Sequence, residues 1–255
     1  MSVELHCSVT GEGPDLVLLH PVGLDHTFWP ALTAAASSTH RVVAVDLRGH
    51  GRSPLAARDA TIDDYADDVH ALIERHCRGP AILLGLSFGG MLAQLVAVRH
   101  ADAVSALVLS GCTGGFAPEV RPMLRERGLA AEREGMAPVV EPTVERWFTP
   151  GFRNDREVER VRERLCSNDP VAWSVAWHAI ATFDALPRLG EIRVPALVVA
   201  GEADAATPLA GSAKLAESIA NARFHVLAAA PHMMQIERRD DYTRAVLTFL
   251  GEMNG

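Results

Sequence analysis

The chain has 255 residues, and 48% of them are hydrophobic, which suits one domain with a large buried core rather than a disordered or repeat protein. Its formal net charge is −8, which argues against a nucleic-acid partner because proteins that bind phosphate backbones usually carry a basic face. No apolar run has the length of a membrane span, so we expect no membrane partner either.

The cysteines and the first residues indicate the compartment. Cys7, Cys77, Cys112 and Cys166 are far apart and form no CxxC pair, which predicts free thiols in a reducing compartment and no metal site. Residues 1–13 lack a basic region followed by an apolar stretch, so we expect no signal peptide. Both features favour a cytoplasmic protein.

The first half of the chain alternates short apolar runs with helical patterns. Such runs read as strands buried on both faces of a sheet. The predicted strands are 15–20, 42–46, 81–85 and 106–110, and the predicted helices are 62–76 and 88–100. Strand–helix–strand alternation indicates a parallel sheet with helices on both faces.

This alternation of strands and helices stops after Ser110. Residues 114–185 contain only helix-like segments rich in arginine and glutamate, such as 155–165, and no buried strand. The alternation then resumes, with strands at 194–201 and 222–227 and helices near 209–220 and 239–252. A helical insert in an α/β sheet is typical of a lid or cap, and the alternative is a structural layer without a functional role.

A serine follows the third of the early strands in the pattern G-x-S-x-G. Ser87 lies between Gly85 and Gly89, directly before the predicted helix that begins at Phe88. A nucleophile on a sharp strand-to-helix turn has a strained backbone and tolerates only small neighbours. The position therefore predicts that Ser87 is a nucleophile rather than an ordinary turn residue.

A serine hydroxyl needs a base to take its proton, and the base needs a carboxylate to orient it. Among eleven histidines, His232 lies in the loop between the last strand and the last helix, at the same carboxyl edge of the sheet as Ser87. Asp204 follows the strand at 194–201, whereas the strand at 106–110 ends without an acid. We therefore predict Ser87, Asp204 and His232 as the catalytic residues, in the chain order found in α/β-hydrolases.

A serine hydrolase must also hold the oxyanion of its tetrahedral intermediate. One donor is expected to be the backbone N–H of Phe88, at the N-terminus of the helix after the nucleophile. The second is expected from the loop HPVG at 20–23, as the N–H of Val22. Side-chain identity matters little for a backbone donor, so valine is acceptable there.

These motifs resemble a known superfamily over nearly the whole chain. The segments HPVG, DLRGHGRS (46–53), GLSFGGMLAQLVAVRHAD (85–102), EADAATP (202–208) and HMMQIE (232–237) resemble the α/β-hydrolases. Within that superfamily, the helix after Ser87 and the segment ERWFTPGF (145–152) are similar to 3-oxoadipate enol-lactonases. His20-Pro21 replaces the His-Gly that is common in the family, and a proline cannot donate a hydrogen bond.

The resemblance implies an α/β-hydrolase fold with a core domain at 1–113 and 186–255. The helical cap, 114–185, is expected after the sixth strand of a mostly parallel sheet with helices on both faces. The implied reaction is the ring-opening hydrolysis of a 3-oxoadipate enol-lactone in aromatic-compound breakdown, the β-ketoadipate pathway, with no metal or organic cofactor. The expected partner is thus a small-molecule ester or lactone.

Two cap residues are candidate substrate contacts. Arg146 suits the free carboxylate of an enol-lactone, because a guanidinium donates two parallel hydrogen bonds, and Trp147 suits an apolar wall over the ring. The alternative is that Arg146 is one of many solvated helix arginines. Other functions remain open: a carboxylesterase or another lactonase, a carbon–carbon bond hydrolase of ring-cleavage products, or a non-catalytic small-molecule sensor on the same fold.

Overall fold

The computed structural model describes residues 2–253 and contains one seven-stranded sheet in the order β1-β3-β2-β4-β5-β6-β7. All neighbouring strands are parallel except β1, which pairs antiparallel with β3. The strands are β1 (Cys7–Thr10), β2 (Asp15–Leu19), β3 (Arg41–Val45), β4 (Ala81–Leu86), β5 (Val104–Ser110), β6 (Ala196–Gly201) and β7 (Ala222–Leu227).

The central strands are buried because helices cover both faces of the sheet. Every residue of β2, β4 and β6 is buried, as expected of strands that read as unbroken apolar runs. The helices are α1 (Pro30–Ala36), α2 (Ile62–His76), α3 (Phe88–Arg99), α4 (Arg121–Glu134), α5 (Ala137–Trp147), α6 (Arg156–Cys166), α7 (Pro170–Thr182), α8 (Leu209–Ser218), α9 (Met234–Glu237) and α10 (Arg239–Glu252), and the short 3-10 helices are His26–Phe28, Ala101–Ala103 and Leu186–Glu191. From residue 2 to residue 253, no helix combines the length and hydropathy needed to cross a bilayer.

The predicted position of the cap in the strand order was wrong. The four helices α4 to α7 follow β5, the fifth strand, and not a sixth. The reason lies at the N-terminus, where the segment before Cys7 pairs with side chains instead of adding a strand. The N–H of Val3 donates to Asp68 and that of His6 donates to Ser53. The division of the chain into a core domain and a separate cap domain stays a prediction.

The sheet carries the candidate residues at one edge. Ser87 follows β4, Gly111 follows β5, Asp204 follows β6 and His232 follows β7, and these four strands are neighbours in the sheet. Because the strands are parallel, their carboxyl ends lie on the same side, which is where open α/β sheets place reactive groups.

Candidate active site

Ser87 adopts a backbone conformation that few side-chain-bearing residues tolerate. Its φ is 54° and its ψ is −114°, between the end of β4 and the first residue of α3. Such a conformation costs about 1–3 kcal/mol and persists only where the surroundings impose it. The neighbouring glycines permit the turn, since a Cβ on Gly85 would overlap the Gly89 carbonyl.

His232 and Asp204 form a buried hydrogen-bonded pair. His232 Nδ1 lies 2.8 Å from Asp204 Oδ2, and the two side chains are 2% and 1% exposed. The second carboxylate oxygen accepts the N–H groups of Ala206 and Thr207, each at 2.8 Å. The carboxylate is therefore fixed by its own loop and sets the orientation of the imidazole, so that Nδ1–H donates and Nε2 is the acceptor.

The end of β5 joins Ser87 to this pair. The Ser87 N–H donates to Ser110 O at 2.8 Å, and the next residue, Gly111, borders the pair. A Cβ placed on Gly111 would lie 3.3 Å from His232 Nδ1 and 3.4 Å from Asp204 Oδ2. The structure thus brings the loops that carry Ser87, Asp204 and His232 together at the carboxyl ends of β4 to β7, and any larger residue at 111 would press on the histidine.

The two predicted oxyanion donors lie on elements that touch. The loop after β2 closes with a hydrogen bond from the Leu24 N–H to Pro21 O at 3.3 Å, which leaves the Val22 N–H outside the turn. The Phe88 N–H belongs to the first turn of α3 and has no acceptor within the helix. A Cβ on Gly89 would overlap the Leu19 carbonyl, so α3 begins in direct contact with the strand that leads into the loop.

His20 and Asn168 hold the oxyanion loop, and sequence reasoning assigned neither of them a role. His20 lies fully buried with Nδ1 2.8 Å from Pro21 O, while its Nε2 accepts the Leu47 N–H at 3.0 Å. Burial lowers the pKa of His20 to about 4, which keeps the ring neutral and able to accept that bond. Asn168 lies in the connection between α6 and α7, and its Nδ2 donates to Gly23 O at 2.9 Å, a contact between residues 145 positions apart that no local pattern signals.

The predicted cap residues lie at the end of α5, and Trp147 is close to the histidine. Trp147 is 4% exposed, its ring centroid is 6.2 Å from that of His232, and its carbonyl accepts the Met233 N–H at 3.1 Å. Arg146 is half-buried, and one of its terminal nitrogens is 3.5 Å from the Thr143 hydroxyl. Burial lowers the pKa of Arg146. Trp147 therefore forms a wall beside the histidine, and Arg146 is the preceding residue of α5.

A thiol close to this edge is not an alternative nucleophile. Cys112 is fully buried, and Gln94 Nε2 lies 3.6 Å from its sulfur. Burial raises the pKa of Cys112 to about 12, so the thiol remains protonated near neutral pH.

One group of metal-ligating side chains is found among residues 2–253, namely His6, His26 and Asp46, whose ligand atoms lie within 4.8 Å of one another. Their contacts have a structural explanation. The Asp46 carboxylate accepts the N–H groups of His26 and Arg52 at 2.8 and 2.9 Å, and both imidazole Nδ1 atoms lie within 3.0 Å of it. The carboxylate is therefore saturated with hydrogen bonds and fixes the loop after β3.

Comparison with known proteins finds that the chain is similar to hydrolases. The family model described as serine aminopeptidase, S33 (Hydrolase_4) matches residues 30–239. 3-Oxoadipate enol-lactonase 2 of Acinetobacter baylyi is 28% identical over 256 residues, covering 99% of this chain and 95% of that protein. The pimeloyl-[acyl-carrier protein] methyl ester esterase of Chromobacterium violaceum is 31% identical over 257 residues, covering 97% and 98%. The crystal structure of the enol-lactonase from Burkholderia xenovorans LB400 superposes with a TM-score of 0.91 at 33% identity, covering 97% of this chain and 96% of that one.

Proposed function

Because the chain belongs to the Hydrolase_4 family (serine aminopeptidase, S33) and is an α/β-hydrolase, we propose that it cleaves a small ester or lactone through an acyl-enzyme on Ser87. One observation carries this proposal. The strained turn of Ser87 is joined through the end of β5 to a buried His232–Asp204 pair whose free imidazole nitrogen is an acceptor.

In the proposed reaction, Ser87 Oγ attacks the carbonyl carbon while its proton passes to His232 Nε2. Asp204 stabilises the imidazolium through the hydrogen bond at Nδ1. The N–H groups of Val22 and Phe88 bind the oxyanion, each for a rate factor of about 10²–10³. The carbon–oxygen bond of the ester or lactone then breaks, and the leaving oxygen takes the proton from His232.

Deacylation follows the same steps with water as the nucleophile. His232 Nε2 removes a proton from the water, which attacks the acyl carbon, and the bond to Ser87 Oγ breaks as the hydroxyl recovers its proton. Every charge that develops is held by the main chain or by the histidine–aspartate pair. The side chains described here therefore suffice for the reaction.

We infer that the substrate is 3-oxoadipate enol-lactone, consumed in aromatic-compound breakdown. Similarity to enol-lactonases of Acinetobacter baylyi and Burkholderia xenovorans, over nearly the full length of each, supports this choice. So does the wall beside the histidine, where Trp147 suits a lactone ring and the half-buried Arg146 suits the free carboxylate. An aminopeptidase would need an acidic group for the ammonium of its substrate, whereas this wall carries a cation.

The second candidate is a methyl ester esterase that acts on an acyl chain bound to a carrier protein, favoured by the 31% identity to the Chromobacterium violaceum enzyme. An acyl chain on a carrier protein brings a protein surface to the mouth of the site, and an excess of one charge around the site steers such a partner. Residues 114–185 contain ten arginines against twelve aspartates and glutamates, and no lysine. The balanced charge of the cap disfavours this candidate.

Purified enzyme assayed separately with 3-oxoadipate enol-lactone and with a pimeloyl methyl ester tests the choice. We expect a kcat/KM at least about 100-fold higher for the lactone, and loss of both activities in Ser87→Ala, which keeps the fold because the side chain loses only a hydroxyl. Preference for the methyl ester would transfer the assignment to the second candidate. Activity that survives in Ser87→Ala would remove the proposed nucleophile.

A further inference from the structure

Two tryptophans of α7 extend the wall around the active site. Trp173 and Trp177 pack edge to face with ring centroids 5.8 Å apart, and both are more than nine-tenths buried. Trp173 lies against the oxyanion loop, because a Cβ on Gly23 would come within 2.6 Å of its ring. The α7 tryptophans thus border the site on the side of the oxyanion loop, as Trp147 borders it on the side of the histidine.

Arg127 of α4 is fixed against both α7 tryptophans. Its guanidinium carbon lies 5.0 Å from the centre of the Trp177 ring, and its main-chain carbonyl accepts the Trp173 Nε1–H at 3.3 Å. A guanidinium over an indole face is held by the cation–π attraction with its hydrogen-bond donors still free at the edge. Arg127 is therefore placed and oriented, unlike a solvated surface arginine.

Arg127 and Arg146 lack the carboxylate partner that five other cap arginines have. Within residues 2–253, neither guanidinium lies at ion-pair distance from a carboxylate, although both are half-buried. Burial, with a smaller contribution from the positive charge of Arg146, lowers the pKa of Arg127 to about 10. Of the eight other cap arginines, those at 121, 133, 160, 162 and 164 pair with an acid, and those at 125, 153 and 156 have no carboxylate at ion-pair distance within residues 2–253.

Two half-buried guanidinium groups that repel each other at neutral pH raise the free energy of the folded protein unless an anion binds between them. Their neighbours define where that anion would lie. Arg146 adjoins Trp147, which contacts His232, and Arg127 lies on Trp177, which contacts Trp173 at the oxyanion loop. Contacts between aromatic rings therefore connect Arg127 to the oxyanion loop, and Arg146 directly precedes the tryptophan that packs beside His232.

We propose that Arg127 is a specificity-determining residue, which binds a carboxylate of the acyl chain together with Arg146. This inference rests on the proposed function, since it assumes an acyl group on Ser87. It adds that selectivity for an anionic acyl chain depends on α4 as well as on α5. It also assigns the α7 tryptophans a role, because they hold Arg127 in place.

The test uses two aryl esters that differ in one carboxylate, p-nitrophenyl hemisuccinate and p-nitrophenyl butyrate. Arg127→Met removes the charge while its stem still covers Trp177. Arg125→Met is the matched control, because Arg125 is exposed on the same helix. We expect Arg127→Met to lower kcat/KM for the hemisuccinate at least about tenfold and that for the butyrate less than about twofold, with no change for either ester in the control.

Inhibition by glutarate gives a second measurement that needs no turnover of a charged ester. Its inhibition constant against butyrate hydrolysis should rise at least about tenfold in Arg127→Met and by less in Arg127→Lys, which keeps a cation but loses the planar fork. If Arg127→Met does not fold, the comparison with Arg127→Lys decides. Equal losses on both esters, or a wild type that does not prefer the hemisuccinate, would overturn the proposal. In that case the proposed function is still supported if Ser87→Ala loses all hydrolysis while the Arg127 variants remain active.

Discussion

Replacing Asp204 by asparagine should abolish most activity while preserving the fold. The carboxylate makes three hydrogen bonds, with the N–H groups of Ala206 and Thr207 and with His232 Nδ1. Asparagine keeps the two main-chain bonds through its oxygen but offers an N–H to His232, which reverses the imidazole tautomer. Nε2 then carries the proton and cannot accept the one from Ser87. We expect kcat to fall about 10⁴-fold, roughly 5 kcal/mol, with KM almost unchanged.

The same substitution should cost little stability. Exchanging a charged acceptor for a neutral one weakens the two retained bonds by about 1 kcal/mol, a decrease in Tm of about 2–4 °C. Asp204→Ala is the contrasting variant, because it leaves both N–H groups unpaired, at about 1–3 kcal/mol each. Steady-state kinetics and thermal unfolding of both variants separate catalysis from folding. A near-normal kcat in Asp204→Asn would refute the role of Asp204 as the acid that orients His232.

Two further predictions concern the oxyanion loop. Gly89→Ala should destabilise the protein by about 1–3 kcal/mol and lower kcat at least about 100-fold, because the new methyl group overlaps the Leu19 carbonyl and pushes the Phe88 N–H away from the loop. Gly79→Ala is the control, since its methyl group meets open space and should change neither the unfolding free energy nor the kinetics. A fully active Gly89→Ala would contradict this geometry. Burial lowers the pKa of His20 to about 4 and that of His50 to about 3. Below pH 6.5 the unfolded chain therefore binds protons at these histidines that the folded chain does not bind. Each histidine should therefore remove about 2 kcal/mol of stability between pH 8 and pH 5, and denaturant unfolding of His50→Gln should show about half of the combined loss; an unchanged pH dependence would disprove it.

The fold could be predicted because its buried elements have strong periodic patterns. The predicted helix at 62–76 has the bounds of α2, which Thr61 and Asp64 fix with a capping box. The predicted α/β-hydrolase fold is confirmed by the sheet and by the superposition on the Burkholderia xenovorans enol-lactonase. The strand β1 was not predicted, since Cys7–Thr10 is an exposed edge strand without an apolar run. The expected number of strands before the cap was wrong, because side-chain hydrogen bonds near the N-terminus leave no signal in the sequence.

The candidate site residues could be found from the sequence because each follows a predicted strand. Ser87, Asp204 and His232 each lie in a loop directly after a strand, so topology alone brings them to one edge of the sheet. Their catalytic roles stay a prediction. Asn168 and Arg127 were not predicted, because their contacts depend on how the cap helices pack against the oxyanion loop and on each other. In the sequence, Arg127 resembles the other arginines of the cap and Asn168 resembles an ordinary residue between two helices.

Labelling with a fluorophosphonate, followed by tandem mass spectrometry of the digested protein, tests the central claim most directly. A phosphonate traps the nucleophile as a stable adduct that mimics the tetrahedral intermediate, so it marks the residue that attacks the carbonyl. We expect one adduct per chain, on Ser87, with slower labelling in Asp204→Asn and none in Ser87→Ala. An adduct on any other residue, or full labelling of Ser87→Ala, would contradict the assignment of Ser87 as the nucleophile.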